Sequence, residues 1–385
     1  MSTTFNPSAT PLASENGEAK SPAGIDPRGP QFAASLTAVV LVAGIAALLS
    51  PVAYVETFCR ADAEPQDYTP LIADAEFQRA EANSYLTYPE WHIVYAYEGL
   101  AKTLETTDEH GFDYLASIAG FWRSFCALNQ QANRHGGGDF NTRGTIHVIG
   151  VSYTLELIMK AAYEETVGRL FALIRGPEKA PQDLYAARMA ADYAGFLQQV
   201  PWYKYDFEKA KQELWAEPVT SFARGWERRL ALGGEFSAKT AYAQAIASAV
   251  EAAGVAILRI RSVVRGLDAE TLASIEGVDV IGTTADGVLI ETPRYRKFTR
   301  ILERIVDLGG TVADIAGNDD IMLSAVGWDD PDLDSLSRGT ILARIPRDGY
   351  DGSARWLVGL KVRDIGPVLD AIEANGLKLE HIYDY

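Results

Sequence analysis

With 385 residues, 48% apolar and 23% charged, the chain has an ordinary globular composition and room for two or three domains. A formal charge of -17 repels phosphate backbones and argues against nucleic acid as a partner. Cys59 and Cys126 are too few for a disulfide framework or a four-thiolate zinc site. Cys126, close to Trp122 and Phe125 in an apolar run, reads as a buried inert thiol.

Residues 1–31, rich in Ser, Thr, Ala, Pro and Gly, read as a disordered tail. Phe32–Val55 follows without one charged side chain. About 20 apolar residues cross a hydrocarbon core at about 1.5 Å per residue, so 32–57 reads as a transmembrane helix contacting membrane lipid. Pro51 kinks it at most. A cleavable signal peptide has a shorter apolar core and seldom follows so long a polar tail, although Ala61-Asp62-Ala63 has the small-x-small form a peptidase accepts. Glu56-Thr57-Phe58 before Cys59 lacks the small residues of lipoprotein processing. Lys20 and Arg28 precede the helix and Arg60 follows it. The positive-inside rule then points, by one charge, to a single-pass protein of the inner (cytoplasmic) membrane with its body in the periplasm.

From Asp74 onwards the period is helical, and 74–265 reads as a mainly helical, bundle-like domain. Thr87 is the expected N-cap of a helix running to about Leu104, with Pro89 in its first turn and Glu90 completing a capping box. Further helices are expected at 111–133, 142–174, 183–199, 206–231 and 236–264, with a glycine-rich loop at 134–141. Ala241–Leu258 is too weakly apolar, with Glu251 at its centre, to read as a second membrane pass. An amphipathic helix on the body or on the membrane surface fits it better.

Three stretches of this region, SerTyrLeuThrTyrProGluTrpHisIleValTyr at 84–95, TyrGluGluThrValGlyArg at 163–169 and ProTrpTyrLysTyrAspPhe at 201–207, resemble a family of uncharacterised bacterial membrane-anchored proteins. The resemblance covers most of the chain after the anchor. It implies a tethered body and brings no activity or functional residue with it.

After Gly266 the period shortens. Strands are expected at 278–281, 288–290, 311–315, 321–326, 341–345, 356–362 and 377–383. Helices are expected at 292–308, opened by Thr292-Pro293, and at 365–375, with an acidic loop at 329–334. Strand–helix–strand units over 276–385 fit a small α/β domain of ferredoxin-like pattern, making the whole chain α+β.

The chemistry is sparse. Paired Glu-x-x-His, His-Glu-x-x-His, Gly-x-Ser-x-Gly and phosphate-loop patterns are all missing, so no metal or cofactor is indicated by motif. The densest polar and aromatic group is Glu90, Trp91, His92, Tyr95 and Glu98. Capping and packing explain it, or else Glu90 or His92 is an acid or base at an interhelical pocket. Tyr153, Glu156, Lys160 and Tyr163 share one helix stripe, in which Glu156 and Lys160 form an i,i+4 pair. His147 and Glu156, nine residues apart, point to nearly opposite faces, and His147 reads as a packed core residue. Two functions follow from this. One is a membrane-tethered binding or assembly factor for a protein or small ligand. The other is an enzyme with an interhelical site around Glu90, His92 and Glu156, and with Trp91, Tyr95, Tyr153 and Lys160 as binding residues.

Overall fold

The computed structural model describes residues 28–138, 140–253, 258–328 and 338–385. Most of the expected tail and all of the expected acidic loop therefore lie outside the described residues. The chain divides into two compact units, Met1–Ala47 and Leu48–Tyr385.

Helix α1 (Arg28–Phe58) contains Leu41–Phe58, the one segment among the described residues long and apolar enough to cross a membrane. Its last turns belong to the body. Val55 and Cys59 are buried in the core, and Asn129 donates to the Cys59 carbonyl at 2.8 Å. Cys59 forms a disulfide with Cys126, so Cys126 is not the inert thiol its apolar neighbours suggest. Its partner lies 67 residues away, where local composition carries no signal.

The helical body comprises α2 (Ala82–Leu86), α3 (Tyr88–Thr106), α4 (Tyr114–Arg134), α5 (Phe140–Tyr163), α6 (Arg169–Arg175), α7 (Pro181–Leu197), α8 (Phe207–Ala216) and α9 (Phe222–Ala253). Thr87 does not cap α3. It has helical dihedrals and its hydroxyl donates back to Asn83 O at 2.7 Å, so α2 runs almost directly into α3 and Glu90 caps nothing. A five-residue π turn, Glu164–Gly168, joins α5 to α6. The expected helix at 206–231 breaks before Pro218, which disfavours helical geometry at Glu217. Helix α9 instead runs straight through Gly233 and Gly234. A side chain at Gly233 would stand 3.1 Å from the Trp215 indole nitrogen, so the glycine there serves close packing and not a break.

Strand β1 (Arg259–Arg265) occupies what reads as the end of a helix. Its alternation of half-buried Arg259 and Arg261 and exposed Arg265 with buried Ile260, Ser262 and Val264 is a strand pattern hidden behind an Ala-rich run. With β2 (Asp279–Thr284), β3 (Gly287–Pro293) and β4 (Thr311–Ile315) it forms an antiparallel sheet, sheet A, in the order β2-β3-β1-β4. Short α10 (Ala269–Ala273) follows β1 and α11 (Arg296–Asp307) follows β3. Thr292-Pro293 ends β3 and does not open α11. A second antiparallel sheet, sheet B, orders β5 (Asp320–Trp328), β6 (Gly339–Pro346), β7 (Ser353–Lys361) and β8 (Lys378–Tyr383) as β6-β7-β5-β8, with α12 (Ile365–Ala374) between β7 and β8. Each sheet thus places its four strands in the same relative order, and where one small sheet was expected there are two.

Alternation along sheet B splits its side chains between two cores. Met322, Leu357 and Tyr383 join the core of the helical body. Ile321, Leu323, Val358 and Ile382 join a second core built with α11 and α12. Sheet B is therefore covered on both faces, by the helical body on one and by α11 and α12, which also pack on sheet A, on the other.

Candidate functional site

Helix α3 turns its candidate residues to different neighbours. Trp91 lies 3.9 Å from the His381 ring, and Tyr95 sits under the Arg355 guanidinium at 3.6 Å with its hydroxyl 3.2 Å from that of Tyr383. Arg355 is itself paired with Glu380. Ser84 donates to Tyr383 O and accepts from Met322 N. The 84–95 stretch is thus the surface by which the helical body grips sheet B. Glu90 is exposed and takes no part in this grip, with the Arg294 charge acting on its carboxyl.

His92 faces α4 and α5. Burial lowers its pKa to about 4, so the ring is neutral, and its Nε2–H donates to the Ser117 carbonyl at 2.9 Å. Tyr153 donates to the Ser117 hydroxyl at 2.8 Å, and that hydroxyl donates to Asp348 at 2.7 Å. Burial raises the Asp348 carboxyl to about 6 against the opposing pull of Ser117. Asp348 comes this close because α3 has Gly99 there; a Cβ would stand 2.4 Å from the Asp348 Cβ. Ser117, His92 and Asp348 meet in space, yet no proton relay connects them, because His92 bonds the main chain and not the hydroxyl.

Glu156 and Lys160 belong to a separate cluster. Tyr97 donates to Glu156 at 2.5 Å, and Lys239 lies 3.0 Å from both Glu156 and Glu235. Lys160 lies 2.9 Å from Glu235 and 3.7 Å from Glu156. Lys239 also stands over the Tyr97 ring at 4.7 Å. Two cations face two carboxylates in a half-buried setting. Burial works to raise Glu235, but Lys160 and Lys239 outweigh it and hold the carboxyl at about 2.

A second network, more deeply buried, lies alongside. Arg224 and Arg228 of α9 are fully buried. Arg224 binds Asp183, Glu227 and Glu109 at 2.8–2.9 Å. Arg228 binds Glu109 and Glu164 at 2.9 and 3.0 Å as well as Glu227, and Arg175 joins Asp183 to Asp108. Five carboxylates therefore share three guanidinium groups. Burial raises the Glu164 pKa to about 7 in spite of Arg228. The π turn presents this residue inward, and Gly168 leaves it room, since a Cβ there would stand 2.1 Å from a Glu164 oxygen.

A partly open cavity of about 40 Å³ touches both networks at Glu109, Lys160, Glu164, Glu235 and Lys239. That volume suits a few water molecules, at roughly 10–15 Å³ each. By sequence alone Glu164 is only the neighbour of Tyr163 at the end of the stripe through Tyr153, Glu156 and Lys160. What marks it in the sequence is the pair Glu164-Glu165, two adjacent carboxylates one turn beyond Lys160.

A different kind of surface lies on the outer side of α5 and α6. Leu155, Met159, Leu170, Leu173 and Ile174 are exposed, Leu173 by 74%, and Phe222 and Leu230 of the neighbouring α9 are exposed as well. Exposed apolar side chains gathered on adjoining elements are a feature of binding faces.

No protein-family model, curated protein or solved structure matches this chain.

Proposed function

We propose that this protein is a membrane-tethered binding or assembly factor whose helical body docks an apolar surface of a partner protein. The observation that carries this reading is the exposed apolar face of α5 and α6, set against polar side chains that are largely tied up with one another. Anchoring through Phe32–Val55 is supported by the length and apolarity of α1. The Cys59–Cys126 disulfide supports an oxidising compartment, hence a periplasmic body. The shared strand order of the two sheets supports a ferredoxin-like reading of each. The test is a photo-crosslinking residue at Leu170 or Leu173 in the full chain in its membrane. A discrete protein adduct is expected, with none from Gln212 on α8. Adducts to lipid alone, or adducts equal to those at Gln212, would overturn the docking reading.

A second reading, an enzyme with an interhelical site, is favoured by Glu164, a carboxyl held near neutrality beside a cavity that also touches Lys160 and Lys239. Its centre would lie at Glu164 and not at Glu90, His92 and Glu156, which face three different surroundings. Turnover that disappears in Glu164→Gln, with folding intact, would establish this second reading in place of the first.

A further inference from the structure

We infer that Glu81, His135 and Asp320 form a divalent-cation site of zinc type at the seam between the helical body and sheet B. The three residues come from the chain just before α2, the end of α4 and the start of β5. His135 Nδ1 lies 3.1 Å from Glu81 Oε2 and 3.9 Å from Asp320 Oδ2, and the three ligand atoms all lie within 4.8 Å of one another. A tetrahedral ion with bonds of about 2.0–2.1 Å spaces its ligand atoms by about 3.3–3.4 Å. Small side-chain shifts therefore close the site.

The surroundings hold these ligands in place. Glu81 accepts the Asp320 N–H at 2.8 Å through Oε1, which aims Oε2 at His135. The His135 ring stacks on Tyr85 with centroids 5.1 Å apart, and its Nε2 lies 3.2 Å from the Gln131 side-chain amide. With Nδ1 on an ion, Nε2–H would donate to that amide turned oxygen-first, a common arrangement behind metal-bound histidine.

Charge points the same way. Glu81, Asp319 and Asp320 are three carboxylates, and Lys361 is the one ammonium paired with them among the described residues. It lies 3.2 Å from Asp319 and 2.6 Å from Asp320 Oδ2, the ligand oxygen, which the ion would share with it or take over. Three carboxylates against one ammonium leave two surplus negative charges, the charge of one divalent ion. Asp319 supplies an independent sign. It is only 9% exposed, and its Oδ1 is buried with no hydrogen-bond partner among the described residues. A buried carboxylate oxygen without a partner is costly, and a water on a neighbouring ion would satisfy it. The second cluster of clustered acids, Asp108, Glu109 and Asp183, has no such vacancy of charge, because Arg175 and Arg224 already occupy it.

One imidazole with two carboxylates and an open position selects zinc or manganese. Calcium and magnesium favour sets made only of oxygen. Because its ligands come from both layers, the ion would lock sheet B to the helical body and would bind the folded state alone.

The test uses the untagged full chain in detergent, stripped with chelator and titrated with Zn²⁺, Mn²⁺, Ca²⁺ or Mg²⁺ by calorimetry and thermal melting. Expected is one Zn²⁺ per chain with a rise in melting temperature, and affinity at least tenfold lower in His135→Ala and in Asp320→Asn but unchanged in His147→Ala. Absence of Zn²⁺ binding, or equal binding by all three variants, overturns the site. If the His135 and Asp320 variants do not fold, the visible spectrum of Co²⁺ bound to the unaltered protein decides. Intense tetrahedral bands support the site, and their absence overturns it.

Discussion

The two charged clusters of the helical body share one cavity and differ in balance. Around Tyr97, two lysines face two glutamates in a half-buried setting, and Glu235 is held at about 2. Around Arg228, five carboxylates share three arginines in the interior, and Glu164 rises to about 7. Proximity to a cation is common to both, so it does not decide the outcome. Burial works to raise Glu109, Glu156, Glu164 and Glu235 alike, and only enough cations, close enough, reverse it. Arginine serves the buried network because its fork bonds several carboxylates at once, whereas the flexible lysines suit the more open one.

The largest way to break this contrast is Arg228→Ala, which leaves Glu164 with no guanidinium and Glu109 and Glu227 with Arg224 alone. A loss of about 3–5 kcal/mol in unfolding free energy is expected, read by denaturant titration. A loss below about 1 kcal/mol would mean that the network is hydrated and not truly buried.

A smaller effect sharpens it. Glu164 has a folded pKa of about 7 against its ordinary 4.5, so between these values the folded state holds a proton that the unfolded state has released. Its contribution to stability is full below pH 4.5 and is lost as pH rises to 7, with a slope of up to about 1.4 kcal/mol per pH unit. Asp348 adds a slope of the same sign, so the measurement is the difference between the unaltered chain and Glu164→Gln. The variant should be flatter over this window. Identical slopes would show Glu164 ionised throughout.

The smallest effect is the control. Glu165 and Arg169, in and just after the same π turn, pair at 3.0 Å on the exposed side. Substituting both by alanine should change stability by less than about 0.5 kcal/mol at physiological salt. A larger loss would mean that the π turn depends on its outer face as well.

By itself the sequence determined the elements that repeat a local period. The apolar run of α1, the amphipathic course of α3, α4 and α12, and the strands of sheet B follow from side chains a few residues apart. It also foretold the Glu156–Lys160 neighbourhood, an i,i+4 relation. Only the tertiary structure decided that Cys59 meets Cys126, that β1 belongs to a sheet, and that Trp91 and Tyr95 grip sheet B while His92 and Glu156 face elsewhere. It alone brought Glu81, His135 and Asp320 together. Each of these joins residues tens to hundreds of positions apart, where hydrophobic period is silent and packing between elements sets the distance.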